Sequence, residues 1–133
     1  MDRILIVDDE FLIRYTLEEG LKDRGYDAYS AATVEEGLEF VRKYHPGVLL
    51  LDNLLENSVG MDEIVNFKNA DEELQVIMMT AYGSVSQAVE ATKRGAYDYI
   101  LKPFDVDEID MLIKRCLEQK RNRDSLVFLK GDV

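Results

Sequence analysis

An α/β fold is what this sequence predicts: a doubly wound, five-stranded parallel sheet with helices on both faces. Two observations carry the prediction. Short apolar runs alternate along the chain with stretches of helical period, and short loops between such elements demand right-handed crossovers. Two of the runs, Ile4 to Asp8 within ILIVDDE and Val48 to Asp52 as VLLLD, are apolar until they end in acids. That is the pattern of strands buried on both faces which present their chemistry at the carboxyl edge. The expected strand order is 2-1-3-4-5, because it sets the first and third strands side by side at the topological switch point.

The first strand is followed by an amphipathic helix from Phe11 to Arg24, with Ile13, Leu17 and Leu21 at four-residue spacing and Gly25 at its end. Tyr26 to Ala31 alternates as a shorter strand. Thr33 then precedes Val34, Leu38 and Val41, with Glu36 three residues on, a capping-box start for the second helix. His45, Pro46 and Gly47 break that helix, and the lone histidine reads as a turn residue because no second metal ligand lies near it. After Val48 to Asp52, a loop from Asn53 to Gly60 leads to a short helix over Met61 to Asn69. Leu74 to Thr80 reads as the fourth strand. Ser84 to Arg94 reads as the fourth helix, with Val85, Ala88, Val89 and Thr92 on one face and Gly95 closing it. Tyr97 to Leu101 is the fifth strand. The fifth helix runs from Asp105 to about Arg121 on a stripe of Ile109, Leu112, Ile113 and Cys116. Residues 1–120 thus form one domain, and 121–133, basic and then apolar at Leu126 to Leu129, read as a helix extension or linker fragment.

Composition narrows the function. At 133 residues the chain can bury a core without staples, and its single cysteine, Cys116, excludes an internal disulfide. No apolar run approaches the length of a membrane span and no signal peptide is apparent, so the expectation is a soluble cytoplasmic protein. Sixteen basic against 27 acidic residues, a net charge of −11, argue that this segment does not itself grip a nucleic-acid backbone.

The strand ends hold the chemistry. Asp8, Asp9 and Asp52 converge there with Thr80, which closes the run Val76 to Met79, and Lys102, which follows Leu101. Carboxylates about 4 Å apart repel by roughly 4 kcal/mol per pair at an effective dielectric of 20, so a cation belongs among them. A small set of oxygen ligands on loops open to water suits Mg²⁺. Acids at strand ends also cap helices, and Glu10 is placed to cap the first one. Capping does not account for an ammonium, a hydroxyl and three acids at successive strand ends.

ILIVDDE, VLLLD, MMTAYGS and GAYDYILKPF closely resemble the receiver domains of two-component response regulators, over residues 2 to about 118. The resemblance implies the flavodoxin-like doubly wound fold. It implies that Asp52 accepts a phosphoryl group from a cognate histidine kinase or phosphotransfer protein. It assigns Mg²⁺ to Asp8, Asp9, Asp52 and the backbone carbonyl of Leu54, the phosphoryl oxygens to Thr80 and Lys102, and a switch to Thr80 and Tyr99. It further implies a cis peptide at Lys102-Pro103. The readout would be the face of the fourth helix, fifth strand and fifth helix, as a homodimer or partner surface, with an output domain C-terminal to this segment. Such a chain is a phosphoacceptor switch and not a turnover enzyme. The stretch from Ala81 to Ile109 looks most like receivers of nitrogen-regulator type, which precede ATPase modules acting on sigma-54 polymerase, so transcription is the expected output.

One position departs from the pattern. Glu56 stands where the family usually has a proline, while Gly60 falls where its glycine is expected. The alternative from another class is a Mg²⁺-dependent phosphohydrolase with an aspartyl-phosphate intermediate. It would carry a second Asp two residues after the nucleophile as general acid and base, where this chain has Leu54. A cofactor module of flavodoxin type would want a glycine- or hydroxyl-rich phosphate loop where DDEFLIRY stands. Leu54 and Tyr82, two residues after Asp52 and Thr80, are expected to flank the path of a hydrolytic water.

Overall fold

The computed structural model describes residues 2–81 and 83–131, with side chains described through Arg123. Strands and helices alternate as β1 Arg3–Val7, α1 Phe11–Asp23, β2 Asp27–Ala31, α2 Val34–Tyr44, β3 Val48–Asp52, α3 Gly60–Ala70, β4 Gln75–Thr80, α4 Val85–Lys93, β5 Asp98–Leu101 and α5 Val106–Gly131. The five strands pair in parallel in the order β2-β1-β3-β4-β5, as the switch-point argument requires.

The alternation of side chains along the strands divides the core in two. Ile4, Ile6, Val48, Leu50, Ile77 and Met79 face α1 and α5, where they meet Leu17, Leu21, Ile109, Ile113 and Cys116. Their neighbours Leu5, Val7, Leu49, Leu51, Val76 and Met78 face the other side, against Val41, Ile64, Phe67 and Ala91 from α2, α3 and α4. All of β3 is buried, which explains its unbroken apolar reading. Each large apolar side chain taken out of water contributes about 1.5–3 kcal/mol, so the two clusters hold the strand ends in register.

Local signals act as read. Thr33 Oγ1 accepts from the Glu36 amide at 3.2 Å, and the amide of Gln87 donates to Ser84 Oγ at the same distance to start α4. Gly25, at φ +90°, turns the chain out of α1 in a conformation that disfavours any side chain. His45 closes α2 in the left-handed region at φ 48°, with Nδ1 3.2 Å from Asp71 Oδ2.

The apolar face of α4 turns to solvent: Val85 is 81% exposed and Val89 48%, whereas Ala91 is the buried contact. A small residue lets this nine-residue helix lie close to the sheet and turns its valines outward. Helix α5 continues past Arg121 without a break to Gly131. Among the described residues no helix is long and apolar enough to cross a membrane.

Candidate functional site

Register alone brings the strand ends together. Val7 is opposite Leu51, so the Asp8 that follows β1 lies beside Asp52 at the end of β3. Thr80 ends β4 opposite Leu101, and its carbonyl accepts from the Lys102 amide at 2.7 Å. Parallel strands share one carboxyl edge, so residues more than 90 positions apart meet there.

Asp8 and Asp52 are buried, at 0% and 3% exposure, while Asp9 is exposed. One carboxylate oxygen from each of the three lies within 4.8 Å of the others, an arrangement able to hold a hard cation through oxygen. The Lys102 ammonium donates to Asp8 Oδ2 and Asp52 Oδ1, each at 3.1 Å. Asp8 Oδ1 accepts from the Glu10 amide at 2.9 Å, and the Asp8 carbonyl accepts from Arg14 Nη1 at 2.7 Å. Asp8, not Glu10, therefore supplies the carboxylate at the start of α1; Glu10 makes no side-chain cap.

Burial, and then the Asp8 charge beside it, push the Asp52 carboxyl above the usual carboxylate range against the pull of Lys102. For Lys102, burial works to lower the ammonium, but its hydrogen bonds to the two carboxylates and their charges outweigh that and hold it above the ordinary lysine range. The Lys102–Pro103 peptide is cis.

The β3–α3 loop is a small hairpin. Leu54 bridges antiparallel to Val59, the Leu55 amide donates to the Ser58 carbonyl at 3.0 Å, and Glu56 sits exposed at the tip. Glu56 is not among the acids that converge. Leu54 is 53% exposed, and its amide lies 3.4 Å from Asp52 Oδ1. Tyr82 lies outside the described residues. Tyr99 is half-buried and lines a pocket under α4 with Thr80, Gln87, Ala91, Asn53, Met61 and Met78.

Sequence reasoning missed Asn53. Its amide donates to Met79 O at 2.9 Å, its carbonyl accepts from the Gly60 amide at 2.7 Å, and its Oδ1 accepts from the Met61 amide at 3.1 Å. One buried asparagine thus closes the loop that carries Leu54 and starts α3. Its signal was present: an asparagine directly after the strand acid, ahead of a loop ending in glycine, is a natural cap.

Residues 4–114 match the family described as the response regulator receiver domain. The chain is 38% identical over 121 residues to sporulation initiation phosphotransferase F of Bacillus subtilis (strain 168), covering 91% of this chain and 98% of that protein. It is 36% identical over 118 residues to regulatory protein AtoC of Escherichia coli (strain K12), covering 89% of this chain but 26% of AtoC. Among solved structures, NtrX from Brucella abortus superposes with a TM-score of 0.91 at 32% identity, over 98% of this chain and 30% of that one. The chain therefore spans nearly all of one relative and under a third of the other two.

Proposed function

Because this chain belongs to the response regulator receiver domain family, we propose that Asp52 accepts a phosphoryl group from a histidine kinase or phosphotransfer protein in the cytoplasm. The observation that carries the reading is the Asp52 carboxylate, buried at the switch point and ringed by Asp8, Asp9 and the Lys102 ammonium. Oδ1 is held by Lys102 and the Leu54 amide, which leaves Oδ2 to form the new O–P bond as the P–N bond to the donor imidazole breaks. Asp8, Asp9, Asp52 and the Leu54 carbonyl would hold Mg²⁺, which when bound supplies neutralisation of charge on the phosphoryl oxygens. Lys102 supplies the second positive charge, and Thr80 a short hydroxyl that fixes the group in line. Acetyl phosphate with Mg²⁺ should add one phosphoryl group per chain, and chelation should stop it; equal incorporation in both would reject the reading.

Receiver domains are signalling switches and not conventional enzymes, and this site fits that role. Leu54 has no proton to transfer where a phosphohydrolase needs one. An exposed apolar side chain beside Asp52 also cannot orient a water by hydrogen bonding, so the phosphorylated state should be long-lived. Leu54→Asn should hasten first-order loss of the phosphoryl group about tenfold, equivalent to about 1.4 kcal/mol. An unchanged decay in that variant would remove the argument.

The output face is α4, β5 and α5. Val85, Val89, Leu101 and Met111 are exposed there, and the pocket under α4 joins Thr80 to Tyr99. Drawing Thr80 toward a phosphoryl oxygen makes room for the Tyr99 ring and alters this face, which then takes a second copy or a partner. The shift is limited to the difference in affinity of the phosphoryl group for the two states. Thr80→Ala should keep phosphoryl incorporation but lose phosphorylation-dependent association in sedimentation; retention of that association would show another route. The resemblance of Ala81 to Ile109 to receivers of nitrogen-regulator type supports transcription as the output, through a C-terminal domain.

A further inference from the structure

The end of the sheet opposite Asp52 carries a cleft that phosphoryl transfer does not use. It is about 170 Å³, between the first residue of β4 and the turn of α5 where that helix leaves the sheet, and is lined by Gln75, Cys116, Gln119, Lys120 and Arg123. Leu117 is the last described residue of α5 that is buried, so the cleft marks the point of departure.

The donors around it are unusually free. Among the described residues, the side chains of Gln75, Gln119 and Lys120 make no hydrogen bond or ion pair, and Arg123 has only an exposed 3.8 Å pairing with Glu73. The neighbouring Lys68 ammonium is fixed by the carbonyls of Glu72 and Leu74, at 2.9 and 2.7 Å. Two groups of different chemistry sense the resulting positive field. Burial, and next the charge of Arg123, press Lys68 below its ordinary range against the pull of Glu73 and Asp71, with Lys120 contributing least. Burial pushes the Cys116 thiol up to about 11 while Lys120, Lys68 and Arg123 draw it down. Glu73 pairs with these cations only through its 3.8 Å approach to Arg123, and Lys120 has no carboxylate partner among the described residues.

We propose that this cleft binds a small dianion of the phosphate class, inorganic phosphate or a phosphate monoester. A planar guanidinium, a point-charge ammonium and one neutral amide from α5 face a second amide from β4, a set that suits a tetrahedral ion with several acceptor oxygens better than a flat carboxylate. The bound ion joins β4 to α5 at the turn where the helix departs, and so holds the outgoing helix to the domain. This goes beyond the role of Asp52 and does not depend on it.

The test is a titration of the whole chain with inorganic phosphate, free of Mg²⁺ and at constant ionic strength set by chloride. Side-chain amide resonances of Gln75 and Gln119 should shift and saturate, and the thermal midpoint should rise with phosphate as ligand linkage requires. The double substitution Lys120→Gln with Arg123→Gln should weaken binding about tenfold or more, since charge-assisted hydrogen bonds are lost. Lys43→Gln, on α2, should leave it unchanged. Linear, non-saturating shifts would overturn the proposal. So would equal binding by the double variant with its thermal midpoint in chloride preserved.

Discussion

Asp52→Asn should abolish phosphoryl incorporation from acetyl phosphate in Mg²⁺, leaving no residual slow phase. Asn53 is bonded to its own loop, Asp8 is held at both oxygens by the Glu10 amide and Lys102, and Asp9 has no strand to fix it. Asparagine keeps the shape of the side chain and removes the anionic nucleophile. The Lys102 ammonium retains its 3.1 Å partner Asp8, so the pocket is not left with an unpaired buried cation. The variant should therefore fold like the parent, which thermal unfolding would check. Intact-mass measurement reads the result directly, and one added phosphoryl group in the variant would show that the acceptor lies elsewhere.

Gly60→Ala should cost about 3 kcal/mol of stability and slow phosphorylation as well. A Cβ on Gly60 would run into the Asp52 carbonyl oxygen and lie 3.0 Å from Asn53 Cα. Both are backbone atoms, at the end of β3 and in the residue after it, so the clash cannot be relieved by a rotamer change, and the cost falls at the upper end of overpacking. The 2.7 Å bond from the Gly60 amide to the Asn53 carbonyl holds the same contact. Relief requires the loop to withdraw, taking the Leu54 carbonyl with it. Gly20→Ala is the comparison, because its Cβ would meet the side-chain methyls of Val106 at 2.9 Å. Urea unfolding separates the two; a loss under about 0.5 kcal/mol for Gly60→Ala would mean that the loop yields freely.

The opposite fates of Glu56 and Gly60 show how far the sequence could be read. Glu56 takes the place of a proline that would have kinked the loop. The loop is instead closed by the Leu54–Val59 bridge and by Asn53, backbone and cap interactions that leave little trace in residue type. Gly60 was legible as a glycine in the expected place, but the reason for it, the Asp52 backbone pressed against its α-carbon, appears only once the chain has folded.

What the sequence by itself determined was the parallel sheet, its order and the convergence of Asp8, Asp9, Asp52 and Lys102, with Thr80 at the same edge. Unbroken apolar runs can be buried only on two faces, and a parallel sheet then has one carboxyl edge. What the tertiary structure decided was which way a short helix turns and which donors meet across elements. The period of α4 placed Val85, Ala88, Val89 and Thr92 on one face correctly but could not say that the face points outward, because direction depends on how close Ala91 lets the helix approach the sheet. The buried Asp110 likewise reads as a polar interruption beside the stripe of α5, and only folding brings the Tyr26 hydroxyl to 2.6 Å from it. A helical period records one face of one helix; which surface that face meets is set by packing between elements far apart in the chain.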